Sequence, residues 1–133
     1  MAAPLYPQTS LSTDVTISTA NTNLDGVTGA GYGSVATGSA GMDEIDVVYI
    51  QAGGATTAGM IRLWVYDGTT AIMVAEIPVP PNTPVNTFPQ VPVWRTVVQF
   101  NPPLRLPSTS HVLRASTHIG ETFYVLAQGR KYT

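Results

Sequence analysis

The stretch Ala58-Gly-Met-Ile-Arg-Leu-Trp-Val-Tyr-Asp-Gly-Thr-Thr-Ala-Ile-Met-Val-Ala-Glu-Ile-Pro78 decides the fold class of this chain. Two alternating runs flank Asp67-Gly68, a dipeptide suited to a tight turn, and together they read as a β-hairpin. Successive strand side chains point to opposite sides of a sheet. Ile61, Leu63 and Val65 are therefore expected on one face, and Arg62, Trp64 and Tyr66 on the other. The hairpin specifies an all-β domain and assigns no function by itself.

The rest of the chain extends the same reading. Upstream, Asp14–Thr19 alternates Val15 and Ile17 with hydroxyl residues, and Tyr32–Thr37 is a short candidate strand among glycines. Glu44–Ala52 is a stronger one, with Ile45, Val47 and Tyr49 on one face and Asp46, Val48 and Ile50 on the other if alternation is strict. Between Pro78 and Pro92, six prolines (78, 80, 81, 84, 89 and 92) withhold too many amide donors for a central strand. That segment is expected to be an extended crossover or a sheet edge. Val93–Phe100, His111–Thr117 and Thr122–Ala127 are further strands, punctuated by Asn101-Pro-Pro and Gly120.

Nothing has a helical period, so the expected fold is an antiparallel sandwich or barrel of about eight strands, with a jelly roll first among these. Residues 1–12, with Pro4 and Pro7 around Leu5 and Tyr6, read as an extended N-terminal arm, and residues 13–133 as a single β-sandwich domain. No internal repeat is visible.

Composition excludes several function classes. At 133 residues without cysteine, the chain has neither disulfides nor a thiolate metal site or nucleophile. Charged side chains are 11% of the total, six basic and eight acidic, with Lys131 the single lysine and a net charge of −2. Such a chain has no field to attract nucleic acid or an anionic membrane. An isolated soluble domain ordinarily carries roughly 25% charged residues, so part of this surface is expected to be covered by another protein. The start of the chain lacks the basic and apolar regions of a signal peptide, and no apolar run approaches the roughly 20 residues that span a bilayer. The protein is expected to begin soluble and intracellular.

No residue set reads as catalytic, cofactor-binding or metal-binding. Gly29-Ala-Gly-Tyr-Gly33 lacks the preceding strand, following helix and lysine of a phosphate loop, which leaves a turn role. His111 and His118 stand seven residues apart, roughly 23 Å along a straight strand, too far to share a metal. His118 with Glu121 remains open as a pair across a turn. Asp43, Glu44 and Asp46 lack EF-hand spacing and read as a solvated strand entrance. Ser108 and Ser110 beside His111 lack the Gly-x-Ser-x-Gly elbow. Trp64, Tyr66 and Trp94 are candidates for a sugar-binding platform or for packing against a core or a neighbouring subunit.

Thr56-Thr-Ala-Gly-Met-Ile-Arg-Leu-Trp-Val-Tyr-Asp-Gly-Thr69, with Val112-Leu-Arg-Ala-Ser-Thr-His118 and Thr122-Phe-Tyr-Val-Leu-Ala-Gln-Gly129, resembles small β-rich virion proteins of tailed bacteriophages. Asn23-Leu-Asp-Gly26 and Asp43-Glu-Ile-Asp46 extend the similarity, which covers most of the chain from about residue 13. The resemblance implies a head decoration, or cement, protein. Made in the host cytoplasm, it would lie on the outer capsid surface and bridge subunits of the major capsid protein, clustered as a homotrimer. Alternatives are a tail or fibre component that contacts the host surface, and a carbohydrate-binding module. The gripping residues expected on this reading are Leu5, Tyr6 and Pro7 in the arm, Val85, Phe88 and Val91 in the proline segment, and Trp64, Tyr66 and Trp94 as subunit anchors. No cofactor or metal is expected, and an enzyme is the least supported class.

Overall fold

The computed structural model describes residues 8–132, and these form eight strands with no helix. They are β1 (Gln8–Ile17), β2 (Gly33–Thr37), β3 (Asp43–Ala52), β4 (Gly59–Tyr66), β5 (Ala71–Val79), β6 (Arg95–Leu106), β7 (Val112–Thr117) and β8 (Phe123–Tyr132). One four-stranded sheet, sheet A, has the order β1-β8-β3-β6, and the other, sheet B, has the order β2-β7-β4-β5. Every pairing between named strands is antiparallel. The pairs β1·β8, β2·β7, β3·β6 and β4·β5 nest around the central hairpin. This is the jelly-roll winding, in which one long antiparallel ribbon is rolled so that its strands alternate between two packed layers.

Between the layers lie Ile17, Ile45, Val48, Ile50, Phe123 and Val125 from sheet A and Val35, Ile61, Leu63, Leu113 and Ala115 from sheet B, all essentially solvent-free. Each of these side chains larger than alanine contributes about 1.5–3 kcal/mol by leaving water. The Thr13 hydroxyl donates to the Val35 carbonyl at 2.6 Å, tying β1 to β2 where the layers meet.

The hairpin follows its sequence. Ile61 and Leu63 face the core, and the Asp67 carboxylate accepts the amides of Thr69 and Thr70 at 2.9 and 2.7 Å, closing the loop to β5. Two backbone amides aimed at one oxygen favour the charged form, so the Asp67 pKa lies below the ordinary carboxylate value.

Three expectations are corrected. Strict alternation in β3 fails, because the register with both neighbours slips between Ile45 and Val47. The extra residue, Asp46, rotates Ile45 onto the same inward face as Val48 and Ile50. Asn101-Pro-Pro does not end a strand but lies inside β6. There the register jumps from Val47↔Gln99 to Ile45↔Leu104, and Phe100–Pro103 bulge from a sheet edge, where a missing amide costs no ladder bond. Residues 8–12, assigned to the arm, belong to β1 and pair with Gln128–Tyr132. Their ladder partner lies more than a hundred residues away, so local composition carries no trace of it.

Candidate functional site

Between β5 and β6 the chain leaves sheet B and crosses to sheet A by way of a braced finger. Its base is clamped by reciprocal backbone bonds, Thr56 amide to Asn82 carbonyl at 2.8 Å and Asn82 amide to Thr56 carbonyl at 3.0 Å. The Thr56 hydroxyl donates to Pro80 O at 2.7 Å, and Asn82 Nδ2 donates to Pro92 O at 3.1 Å. Further out, Val85 and Val91 exchange backbone bonds of 3.0 Å. Prolines fix φ along both arms, which lowers the entropy that docking would remove.

Three of the residues singled out by sequence come together here. Phe88 sits in the turn between the two valines and is 96% exposed, while Val85 and Val91 below it are each 38% exposed. No charged residue occurs from Ile77 through Trp94, so burial of this finger strips no ion of water. A surface concavity lies along it, lined by Pro84, Val85, Asn86 and Gln90–Val93.

The other expected anchors do not join them. Trp94 is half-buried at the end of the crossover, packed edge-on against Phe123 with ring centroids 6.1 Å apart. Trp64 is 2% exposed, and its indole donates to the Ser116 hydroxyl at 3.2 Å. It is roofed by the 20–32 loop of its own chain, where Gly26 lies so close that an added Cβ would sit 2.6 Å from the indole. Tyr66 is half-buried beneath the Arg114 guanidinium, 3.6 Å from its ring centroid. These three aromatics therefore present no shared flat platform for a sugar. Leu5, Tyr6 and Pro7 lie outside the described residues.

The roofing loop owes its shape to short polar side chains. Asn21 Nδ2 donates to Ala30 O at 2.9 Å, and Asp25 accepts from the Val27 and Thr28 amides and the Thr28 hydroxyl. Those bonds, the hydroxyl foremost, hold the Asp25 pKa down to about 2. Gly26, Gly29 and Gly31 have positive φ, which confirms a turn role for the glycine-rich segment. Arg114 locks the loop down through Nη1 to Gly26 O at 3.0 Å and a contact with the Tyr32 ring.

A second surface escaped sequence reasoning, the outer face of sheet A. Register places Asp14, Leu126, Tyr49 and Val97 in one row across all four strands, and Thr16, Tyr124, Gln51 and Arg95 in the next. Tyr49, Val97 and Tyr124 are 41%, 50% and 49% exposed. They border a shallow concavity of about 490 Å³ with Asp14 at one end and Arg95 at the other. The available signal was apolar residues at both phases of alternation, as in Val47-Val-Tyr-Ile50 and Phe123-Tyr-Val-Leu126, which marks strands covered on both sides.

Four of the chemical candidates, His111, Glu121, Asp43 and Asp46, make structural contacts. His111 Nδ1 lies 2.8 Å from the Ser108 hydroxyl inside a local turn. Glu121 accepts from the Thr57 amide, at 3.0 Å to one oxygen and 3.1 Å to the other, across to the β3–β4 connection. The expected solvated strand entrance is instead largely buried: Asp43 is 0% and Glu44 7% exposed. Asp43 takes the Ser39 hydroxyl at 2.7 Å, and Arg130 holds Asp46 through two bonds of 2.7 and 3.0 Å and approaches Glu44 at 3.7 Å. Among the described residues no group of three or more His, Cys, Asp or Glu side chains is placed to hold a metal ion. No helix among the described residues is long and apolar enough to cross a membrane. The chain matches no protein-family model and no curated protein.

Proposed function

We propose that this protein is a structural component of a bacteriophage virion, decorating the outer capsid surface and cementing subunits of the major capsid protein. The observation that carries the reading is the finger. An aromatic ring left 96% in water by the described residues, on a proline-stiffened, hydrogen-bonded hairpin, is suited to enter a partner. The scarcity of charge agrees with burial between other proteins, and the jelly roll is an architecture that viral coats use repeatedly, a fold-level analogy only.

Mass action supplies the mechanism. A protein that binds the assembled, expanded shell and not the loose subunits or the unexpanded shell stabilises the expanded state by its differential affinity. No bond is made or broken. The finger supplies an apolar anchor, and the reciprocal bonds between Thr56 and Asn82 tie its base to the β3–β4 connection.

The test is to mix the full chain with expanded heads that lack it, and separately with unexpanded shells, and to pellet both. Saturable pelleting with expanded heads and weak pelleting with unexpanded shells is the expected result. Absence from the head pellet, or recovery with isolated tails, would overturn the reading in favour of a tail or fibre role.

A further inference from the structure

We infer that the outer face of sheet A is a self-association surface that pairs two copies of this chain face to face about a two-fold axis running along the strands. The inference does not depend on the capsid reading, since the surface lies on the sheet face and not on the finger.

The first support is charge. Asp14 lies on β1 at one edge of the sheet and Arg95 on β6 at the other, with the apolar row Leu126, Tyr49 and Val97 leading from one towards the other. Both charged residues are exposed, and neither makes an ion pair among the described residues. A two-fold axis along the strands lays β1 of one copy over β6 of the other and β8 over β3. Asp14 then meets the opposite copy's Arg95, twice per pair. The two charges stand in adjacent rows, an offset of roughly 7 Å that an extended arginine spans. A two-fold axis across the strands would instead lay β1 over β1 and bring like charges together. Of these two axis directions, electrostatics favours the one along the strands.

Size is the second support. Four strands about 4.8 Å apart and ten residues long present roughly 19 Å by 33 Å, about 600 Å² per copy and about 1,200 Å² for the pair. That reaches the lower bound of specific protein interfaces. The composition suits a protein partner, with Tyr49, Tyr124 and Arg95 among the residue types enriched at such contacts, and with Val97 and Leu126 offering no hydrogen bonds to a sugar. An isologous patch closes at two copies, in contrast to the three-copy cluster implied by the resemblance.

The experiment is equilibrium sedimentation of the full chain with four variants, Val97→Glu, Asp14→Arg, Arg95→Glu and the double reversal Asp14→Arg/Arg95→Glu. Thermal melts serve as a folding control. The parent should sediment as a dimer and Val97→Glu as a folded monomer, with a cooperative melt at the temperature of the parent diluted until it is monomeric. Each single reversal should weaken the dimer about tenfold, and the double reversal should recover most of that loss because it restores opposite charges. A monomeric parent, a trimer, a dimer indifferent to Val97→Glu, or a double reversal no better than the singles would overturn the inference. If the parent is monomeric and Val97→Glu abolishes pelleting with heads, the face belongs to the coat partner. The inference then fails while the capsid reading stands.

Discussion

Replacing Phe88 by alanine separates folding from docking more cleanly than any other change in this molecule. The side chain is 96% exposed, so its removal takes nothing from the core, and the backbone bonds between Val85 and Val91 do not involve it. Unfolding free energy should stay within about 0.5 kcal/mol of the parent, the usual range for a surface substitution. Docking is a different matter. Cutting phenylalanine back to alanine deletes roughly 120 Å² of apolar surface, worth about 3 kcal/mol at 25 cal/mol per Å² if the ring is fully buried in a partner pocket. Since 1.4 kcal/mol is a factor of ten, affinity for expanded heads should fall about 100-fold. Quantitative pelleting against a concentration series measures the affinity, and a urea titration measures the stability. Unchanged affinity would refute the finger as an anchor. Unchanged affinity with a large loss of stability would show that the ring packs against its own chain.

Other changes probe the scaffold that positions the finger and the two outer faces. Gly129→Ala should destabilise the fold by about 2 kcal/mol or more in chemical denaturation, as overpacking does when backbone must yield. The new Cβ would be driven into the Glu44 carbonyl oxygen and lie 2.9 Å from Ile45 Cα, forcing β8 from β3 at the bulge; a neutral effect would contradict the register. Asp25→Asn tests the 20–32 loop by pH. The folded pKa of about 2 lies below the ordinary 3.8, so the carboxylate adds stability above pH 4 that disappears as pH falls through 2. The variant should therefore melt below the parent at neutral pH and converge with it at about pH 2. A gap that persists in stronger acid would mean that the carboxylate charge is not the cause. Arg114→Lys removes the planar cation stacked on Tyr66 and should cost about 1–2 kcal/mol. Hydrogen exchange at Val27 and Thr28 should quicken while the β3 and β8 amides stay protected, and uniform quickening would contradict a local role for Arg114.

Period-two patterning made the fold class and most strands legible, because Ile61, Leu63, Val15 and Ile17 sit where simple alternation puts them. The misses share a physical origin in distant contacts. A single bulged residue, Asp46, inverts every later assignment in β3, and only the partner strands reveal it. Asn101-Pro-Pro reads as a break until β6 is seen to be an edge, where prolines are tolerated. Trp64 does point outward as the hairpin alternation requires, yet a loop from residues 20–32 roofs it. The finger was legible as a proline segment bearing Val85, Phe88 and Val91. The apolar outer face of sheet A was not singled out, since it assembles from single residues on separate strands.

The central claim, a passive coat protein anchored by an exposed ring, is tested most directly by imaging phage particles incubated with this protein. The account predicts density for the jelly roll on the outer shell, with the Phe88 hairpin inserted into a neighbouring subunit. Density confined to the tail or the interior, or a shell-bound copy whose finger points into solvent, would contradict it.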